Sequence, residues 1–147
     1  MTAFDVAVAV DELETEILRA CSRESEWPAR VAAGVYAGVD FAIARPALAS
    51  ELPIERADRG GVSAYDRLVG RLAGFIRAGA PHGAELPATT DEALVAGIVG
   101  LVGDHLRVDR AERLAELRPE LVLLSLLPYL GFEEAQRWSN WSAQRSG

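Results

Sequence analysis

The sequence predicts an all-α domain. Apolar residues recur at helical spacing in several stretches, including residues 3–23 and 63–78. Pro28 and Pro119 each lie near a predicted helix start, where the missing N–H of proline is harmless. No segment alternates between apolar and polar residues for long enough to indicate a strand. We therefore expect about six or seven helices in a single domain that spans residues 1–147.

Composition narrows the possible functions. A chain of 147 residues can bury a hydrophobic core without disulfides or structural metals. The net charge is -7, and the basic residues are scattered arginines, which argues against a nucleic-acid surface in this chain. A single cysteine, Cys21, excludes an internal disulfide and is typical of a small buried residue. The acidic opening does not resemble a signal peptide, so we expect a cytoplasmic protein.

The second predicted helix is expected to lie at the centre of the domain. It runs from the Trp-Pro at 27–28 to about Arg45, and in its last two-thirds only Tyr36 and Asp40 are polar. A helix of mainly Ala, Gly and Val with no hydrated face must be covered by neighbours. Residues 46–52 are expected to add one short turn, and residues 53–61 to form a loop.

The third predicted helix, residues 63–78, is amphipathic. Its inward-facing residues are expected to be Tyr65, Leu68, Val69, Leu72, Phe75 and Ile76. Its outward-facing residues are expected to be Asp66, Arg67, Arg71 and Arg77. Residues 79–87, with two glycines and two prolines, are expected to form the next loop.

The next predicted helix begins near Thr89, Thr90 and Asp91, whose side chains can cap it. This helix has two apolar faces. The bulky face consists of Leu94, Ile98, Leu101, Val102 and Leu106. The small face consists of Ala93, Ala96, Gly97, Gly100 and Gly103. Each glycine costs a helix roughly 1 kcal/mol relative to alanine. Close approach by another helix would offset that cost, so we expect such a contact on the small face.

Residues 118–130 form a helix that is apolar almost all round and must be buried all round. Its apolar run is about half the ~20 residues that a bilayer requires, so a membrane span is rejected. One side is expected to pack on its own domain and the other on a second copy. A fully intramolecular core is the alternative. Gly131 should stop this helix, with a short helix over 132–141 and fraying over 142–147.

The residues that could carry catalysis do not form a constellation. His82 and His105 stand singly, without the second ligand that a metal site needs. Residues 61–65, GVSAY, begin like a nucleophile elbow but lack its closing glycine and its preceding strand. We therefore predict no enzyme activity, no metal and no cofactor.

A few polar side chains interrupt the apolar helices. They are Tyr36 and Asp40, which share one helix face, and Tyr65, Asp104 and His105. In one interpretation each pairs with a backbone group or an arginine at the edge of the core. In the other they are the polar contacts of a mainly apolar ligand pocket. Asp40 distinguishes the two, because a buried carboxylate needs a partner.

Two segments resemble the C-terminal effector-binding and dimerisation domain of TetR-family transcriptional regulators. EWPARVAAGVYAGVDFAIARPALASEL, residues 26–52, resembles the central helix of that domain and the turn after it. RPELVLLSLLPYLGFEEAQR, residues 118–137, resembles the last dimerisation helix with its LxPYLG-like close. At the level of helix order, the resemblance covers nearly the whole chain. The helix-turn-helix headpiece of the family is not found, and GGVSAY at 60–65 only faintly echoes it.

The resemblance implies a ligand-sensing, dimerising domain whose last two long helices pair with those of a second copy in a four-helix bundle. The dimer interface would include Ala93, Gly97, Gly100, Leu101, Leu123, Leu124 and Leu127. A small apolar effector would bind among three helices, near Tyr36, Asp40, Tyr65, Leu68, Phe75, Ile98 and His105. DNA would be bound only through a headpiece outside this chain. The alternative is a stand-alone helical interaction module without DNA-binding activity.

Overall fold

The structure, a computed structural model, describes residues 3–48, 63–81 and 85–146. The helices in these ranges are α1 (Ala3–Ser22), α2 (Trp27–Ala44), α3 (Ala64–Gly79), α4 (Thr90–Arg107), α5 (Ala111–Glu116), α6 (Arg118–Leu130) and α7 (Phe132–Ser146). Residues 46–48 are also helical, and the described ranges contain no strand. The prediction of an all-α fold is confirmed. The predicted loop over residues 53–61, the rest of the turn over 46–52, residues 61–62 of GVSAY, and His82 lie outside the described ranges.

Local sequence explains several helix ends. Pro28 lies in the first turn of α2, and the helix ends at Ala44, before the residue that precedes the next proline. A capping box opens α3, in which the Ser63 hydroxyl accepts from the backbone N–H of Asp66 and the Asp66 carboxylate accepts from that of Ser63. Gly131 ends α6 with a φ of 80°, a backbone conformation that glycine adopts without strain.

The core is built around α2, which packs against α1, α4, α5, α6 and α7. The buried face of α2 includes Val31 and Ala32, which pack with Val122 and Leu126 of α6. Further along α2, Val39 and Ala42 pack with apolar residues of α4, α5 and α6. A separate cluster joins α1, α3 and α4. The prediction of a central helix is therefore confirmed, although Asp40 lies on an exposed part of it.

The prediction that residues 142–147 fray is wrong for residues 142–146, because α7 continues to Ser146. Ser142 is buried, and its hydroxyl donates to the Ser139 carbonyl oxygen at 2.7 Å. Ser139 donates in turn to the Pro119 carbonyl oxygen at 2.7 Å. These bonds satisfy the serine hydroxyls, and Trp138 and Trp141 pack against the α2 and α6 core, so the end of the chain is docked rather than loose.

The faces of α4 and α6 that the sequence assigns to a dimer are partly open. Leu124 and Leu127 on α6 are 43% and 38% exposed, while Leu121, Val122 and Leu126 are buried. On α4, Cβ atoms built at Gly97 and Gly100 would meet no atom within 4 Å. Ala93 is exposed as well, whereas Gly103 is buried, and Leu101 and Leu123 are partly buried against core clusters.

Candidate ligand-binding site

An apolar cavity of about 150 Å³ lies among α1, α2, α3, α4 and α6. Aliphatic side chains form most of its wall, including Ile17, Val35, Val39, Leu72, Val95 and Val102. Protein interiors rarely contain voids larger than a water molecule, so a cavity of this size forfeits dispersion energy in the empty state. A molecule that fills it would recover those contacts.

The helix order of the chain produces this cavity. Small residues on α2, Gly34 and Gly38, let α1 approach so closely that a Cβ at Gly34 would lie 3.0 Å from the Cys21 Sγ. Across the cavity, α2 and α4 touch only over a limited length. The close contact between α1 and α2 therefore borders the cavity, since Cys21 and Gly34 both line it.

Three of the residues predicted to bind ligand line the cavity. They are Leu68 and Phe75 from α3 and Ile98 from α4. Two further lining residues, Cys21 and Ser125, were not among those predicted, and their side chains carry a thiol and a hydroxyl. The signal for Ser125 was present, because it is the one small polar residue in an otherwise apolar helix.

The remaining predicted ligand-binding residues are placed elsewhere by the structure. Tyr36 donates to the Ser142 hydroxyl at 3.3 Å and lies under the Arg118 guanidinium, whose carbon is 4.9 Å from the ring centroid. Asp40 pairs with Arg118 at 2.7 Å, and its side chain is 55% exposed. These two residues therefore follow the first interpretation, that of pairing at the edge of the core.

Tyr65 and His105 also lie outside the cavity wall. Tyr65 is buried in the cluster that joins α1, α3 and α4. The Nδ1 atom of His105 lies 3.0 Å from the Leu101 carbonyl oxygen, one turn earlier in α4. The cavity is thus more apolar than the predicted set of residues implied.

The main buried polar cluster is centred on Asp91, at the start of α4. Its carboxylate, 3% exposed, binds the Arg77 guanidinium from α3 and accepts a hydrogen bond from the Tyr129 hydroxyl of α6. Arg77 also donates to the Pro87 carbonyl oxygen at 2.8 Å. Trp27 of α2 packs edge-on against Tyr129, with ring centroids 5.4 Å apart. One carboxylate therefore joins three helices beside the cavity wall.

This cluster corrects two expectations. Asp91 does not cap α4: Thr89 occupies the N-cap position without a side-chain hydrogen bond, and Asp91 points into the protein. Arg77 does not face solvent as the pattern of α3 predicted, because its side chain is only 30% exposed and pairs with Asp91. Asp91, Val95 and Val102 share the buried face of α4, so helical spacing already placed the carboxylate inward.

The same cluster sets the protonation of Tyr129. Burial is the main cause, and hydrogen bonding to the Asp91 carboxylate adds to it, so the pKa of Tyr129 lies above its ordinary value of 10.0. Burial likewise raises the pKa of the Cys21 thiol above 9.0. Both shifts favour the neutral form in the folded state.

Alkaline pH should therefore destabilise the fold through Tyr129. The folded pKa exceeds the unfolded one, so the stabilisation is fully present below pH 10.0 and is lost as pH rises above it toward the folded pKa. We expect the free energy of unfolding, measured by urea titration, to fall by about 1.4 kcal/mol per pH unit from this group.

Tyr129→Phe should remove this part of the pH dependence. The loss that begins near pH 9.0, from Cys21, should remain. An unchanged slope above pH 10.0 in the Tyr129→Phe protein would show that the Tyr129 hydroxyl is not held in the neutral form by the fold.

The described residues contain no candidate metal-binding site. Within residues 3–48, 63–81 and 85–146, no three His, Cys, Asp or Glu side chains come together in a way that could hold a metal ion. Over the same part of the chain, no helix combines the length and apolar character needed to cross a bilayer.

Comparisons of the chain with protein-family models, curated proteins and solved structures found no match.

Proposed function

We propose that this chain is the effector-binding and dimerisation domain of a TetR-like transcriptional regulator. A small apolar molecule binds in the cavity, and two copies pair through α4 and α6. DNA is bound by a headpiece that is not in these residues, and the occupied cavity changes the spacing of the two headpieces. The observation that carries the proposal is the apolar cavity of about 150 Å³ beside the central helix.

The pairing of two copies is supported by the exposed apolar side chains of α6. Leu124 and Leu127 are exposed at one turn's spacing on a helix whose other faces are buried. On α4, Gly97 and Gly100 leave open space where a helix of a second copy can approach. A two-fold dimer repeats the same patch on both subunits, so leucines of one copy can meet the glycine face of the other.

The positions of these surfaces also support regulation. The helix α4 carries cavity-lining residues on one face and the open glycines on another. The helix α6 places Ser125 at the cavity between the exposed Leu124 and Leu127. A ligand that displaces either helix therefore acts on the surface through which the copies pair. This coupling is the physical basis for an effector response.

Binding of toluene tests the role of the cavity. Apolar cavities of about 150 Å³ hold molecules of this size without displacing ordered water. We expect toluene to bind with a measurable heat in isothermal titration calorimetry and to raise the melting temperature in proportion to its occupancy. Val99→Phe, which places a ring at a half-buried position of the cavity wall, should abolish binding while leaving the helical circular dichroism unchanged.

Val108→Phe is the matched control, because Val108 follows α4 and is 60% exposed. It should bind toluene like the unmodified chain. A chain that pairs in solution but shows no toluene binding would support the alternative function, a helical interaction module without an effector. The exposed leucines by themselves support the interaction module, whereas the regulator hypothesis requires a functional cavity as well.

A further inference from the structure

The cavity has a chemical selectivity that can be read from its polar atoms. We propose, on the basis of the function proposed above, that its ligand is a neutral, ring-sized molecule that donates at most one hydrogen bond and carries no hydrogen-bond acceptor needing a partner. Hydrocarbons and phenol-like compounds belong to this class. Aldehydes, ketones and carboxylates of the same size do not.

The lining disfavours charged ligands. None of the described lining residues is charged. Arg30 does not line the cavity; it lies over the lining residue Phe75, at 5.4 Å from the ring centroid, and donates to the Glu24 carbonyl oxygen at 3.4 Å. An anionic ligand would lose its hydration and find no cation in the cavity wall with which to pair, and an unpaired buried charge is costly.

The hydrogen-bond donors of the five lining helices, α1, α2, α3, α4 and α6, are already engaged. The Ser125 hydroxyl donates to the Leu121 carbonyl oxygen at 2.7 Å, and the Cys21 thiol donates to the Arg30 carbonyl oxygen at 3.2 Å. The lining residues of α1, α2, α3, α4 and α6 lie beyond the first turn of their helices, so their backbone N–H groups are bonded within the helix. The protons that these residues could offer a ligand are already used.

The Ser125 hydroxyl oxygen can still accept a hydrogen bond from a ligand. A serine hydroxyl has one proton and two lone pairs, so Ser125 can donate to Leu121 and still accept from a ligand. Ser125 is buried, so bulk water competes little for its hydroxyl. A ligand O–H can therefore be satisfied at Ser125, whereas a ligand C=O finds no free donor on the five lining helices.

Calorimetry with three ring-sized probes tests this selectivity. We expect toluene to bind, and benzaldehyde to bind at least about tenfold more weakly, because its carbonyl loses its hydrogen bonds to water and gains none. Phenol should bind at least about threefold more tightly than benzaldehyde, because its hydroxyl finds an acceptor.

Ser125→Ala isolates the acceptor. It should weaken phenol binding by about threefold or more relative to toluene binding by the same variant. The matched control is Ser139→Ala, because Ser139 is also buried and also donates to a backbone carbonyl, that of Pro119, but does not line the cavity. Ser139→Ala should bind all three probes like the unmodified chain.

The outcomes separate this inference from the proposed function. The selectivity would be overturned if benzaldehyde bound within about threefold of toluene. It would also be overturned if Ser125→Ala, like Ser139→Ala, lost no affinity for phenol. Either result would leave the cavity as a binding site. Failure of toluene and phenol alike would overturn both the selectivity and the effector role. Nuclear magnetic resonance shifts confined to cavity-lining methyl groups would show that the measured heat comes from this site.

Discussion

Replacing Asp91 with alanine is expected to lower the free energy of unfolding by about 3 kcal/mol. The substitution removes the carboxylate that neutralises Arg77 and accepts from Tyr129. Breaking a fully buried pair costs about 3 to 5 kcal/mol, and the low end applies because the Arg77 side chain retains some contact with water. The total stability of a domain is only about 5 to 15 kcal/mol, so urea titration should show a large shift of the midpoint.

Two variants control for this measurement. Asp104→Ala also removes a carboxylate from α4, but that side chain is 69% exposed and pairs only with Arg107 one turn away, so the cost should stay within about 0.5 kcal/mol. Tyr129→Phe should cost about 1 kcal/mol, because it removes one hydrogen bond and keeps the ion pair. Equal effects of Asp91→Ala and Asp104→Ala would refute the structural role assigned to the buried cluster.

Replacing Gly100 with leucine is expected to turn the proposed dimer into a monomer. The single copy tolerates the change, since a Cβ at Gly100 meets nothing within 4 Å. In a closely packed interface the added side chain is overpacked, at about 1 to 3 kcal/mol per site, and two-fold symmetry makes it act twice. The dimer dissociation constant should therefore rise by at least about tenfold for the first 1.4 kcal/mol lost.

Light scattering over a range of protein concentrations measures this effect. Gly74→Leu is the matched control, because Gly74 is an exposed glycine within α3 whose Cβ would also meet no atom within 4 Å. It should leave the mass unchanged. A parent chain that is monomeric at every concentration would contradict the dimer, and a Gly100→Leu dimer of unchanged affinity would move the interface away from the small face of α4.

The pattern of apolar residues was sufficient to predict the long helices, but not the short helix α5, Ala111–Glu116, in the charged segment between α4 and α6. Periodicity, proline positions and the glycine at 131 each act within a few residues, so they can be read without knowing the rest of the fold. The same reasoning was insufficient at the end of the chain, where α7 continues to Ser146. Residues 142–146 look like a polar tail, and they are helical because Ser142 meets Tyr36, 106 positions away in the sequence.

The candidate site was predicted in part. Leu68, Phe75 and Ile98 were placed at a pocket because they lie on the inner faces of helices expected to surround it, and they line the cavity. Tyr36 and Asp40 were selected because they are polar within an apolar helix. Their orientation depends on Arg118 and Ser142, which lie far along the chain and cannot be paired with them from one sequence.

The sequence by itself determined that the chain is helical, which residues form the central helix, and that α4 and α6 are mainly apolar. These properties follow from local spacing and from the composition of each helix face. Only the tertiary structure decided that Asp91 joins Arg77 and Tyr129, and that space remains between α2 and α4. The reason is physical: an ion pair or a cavity is a property of surfaces from several helices, and its existence depends on how those helices meet.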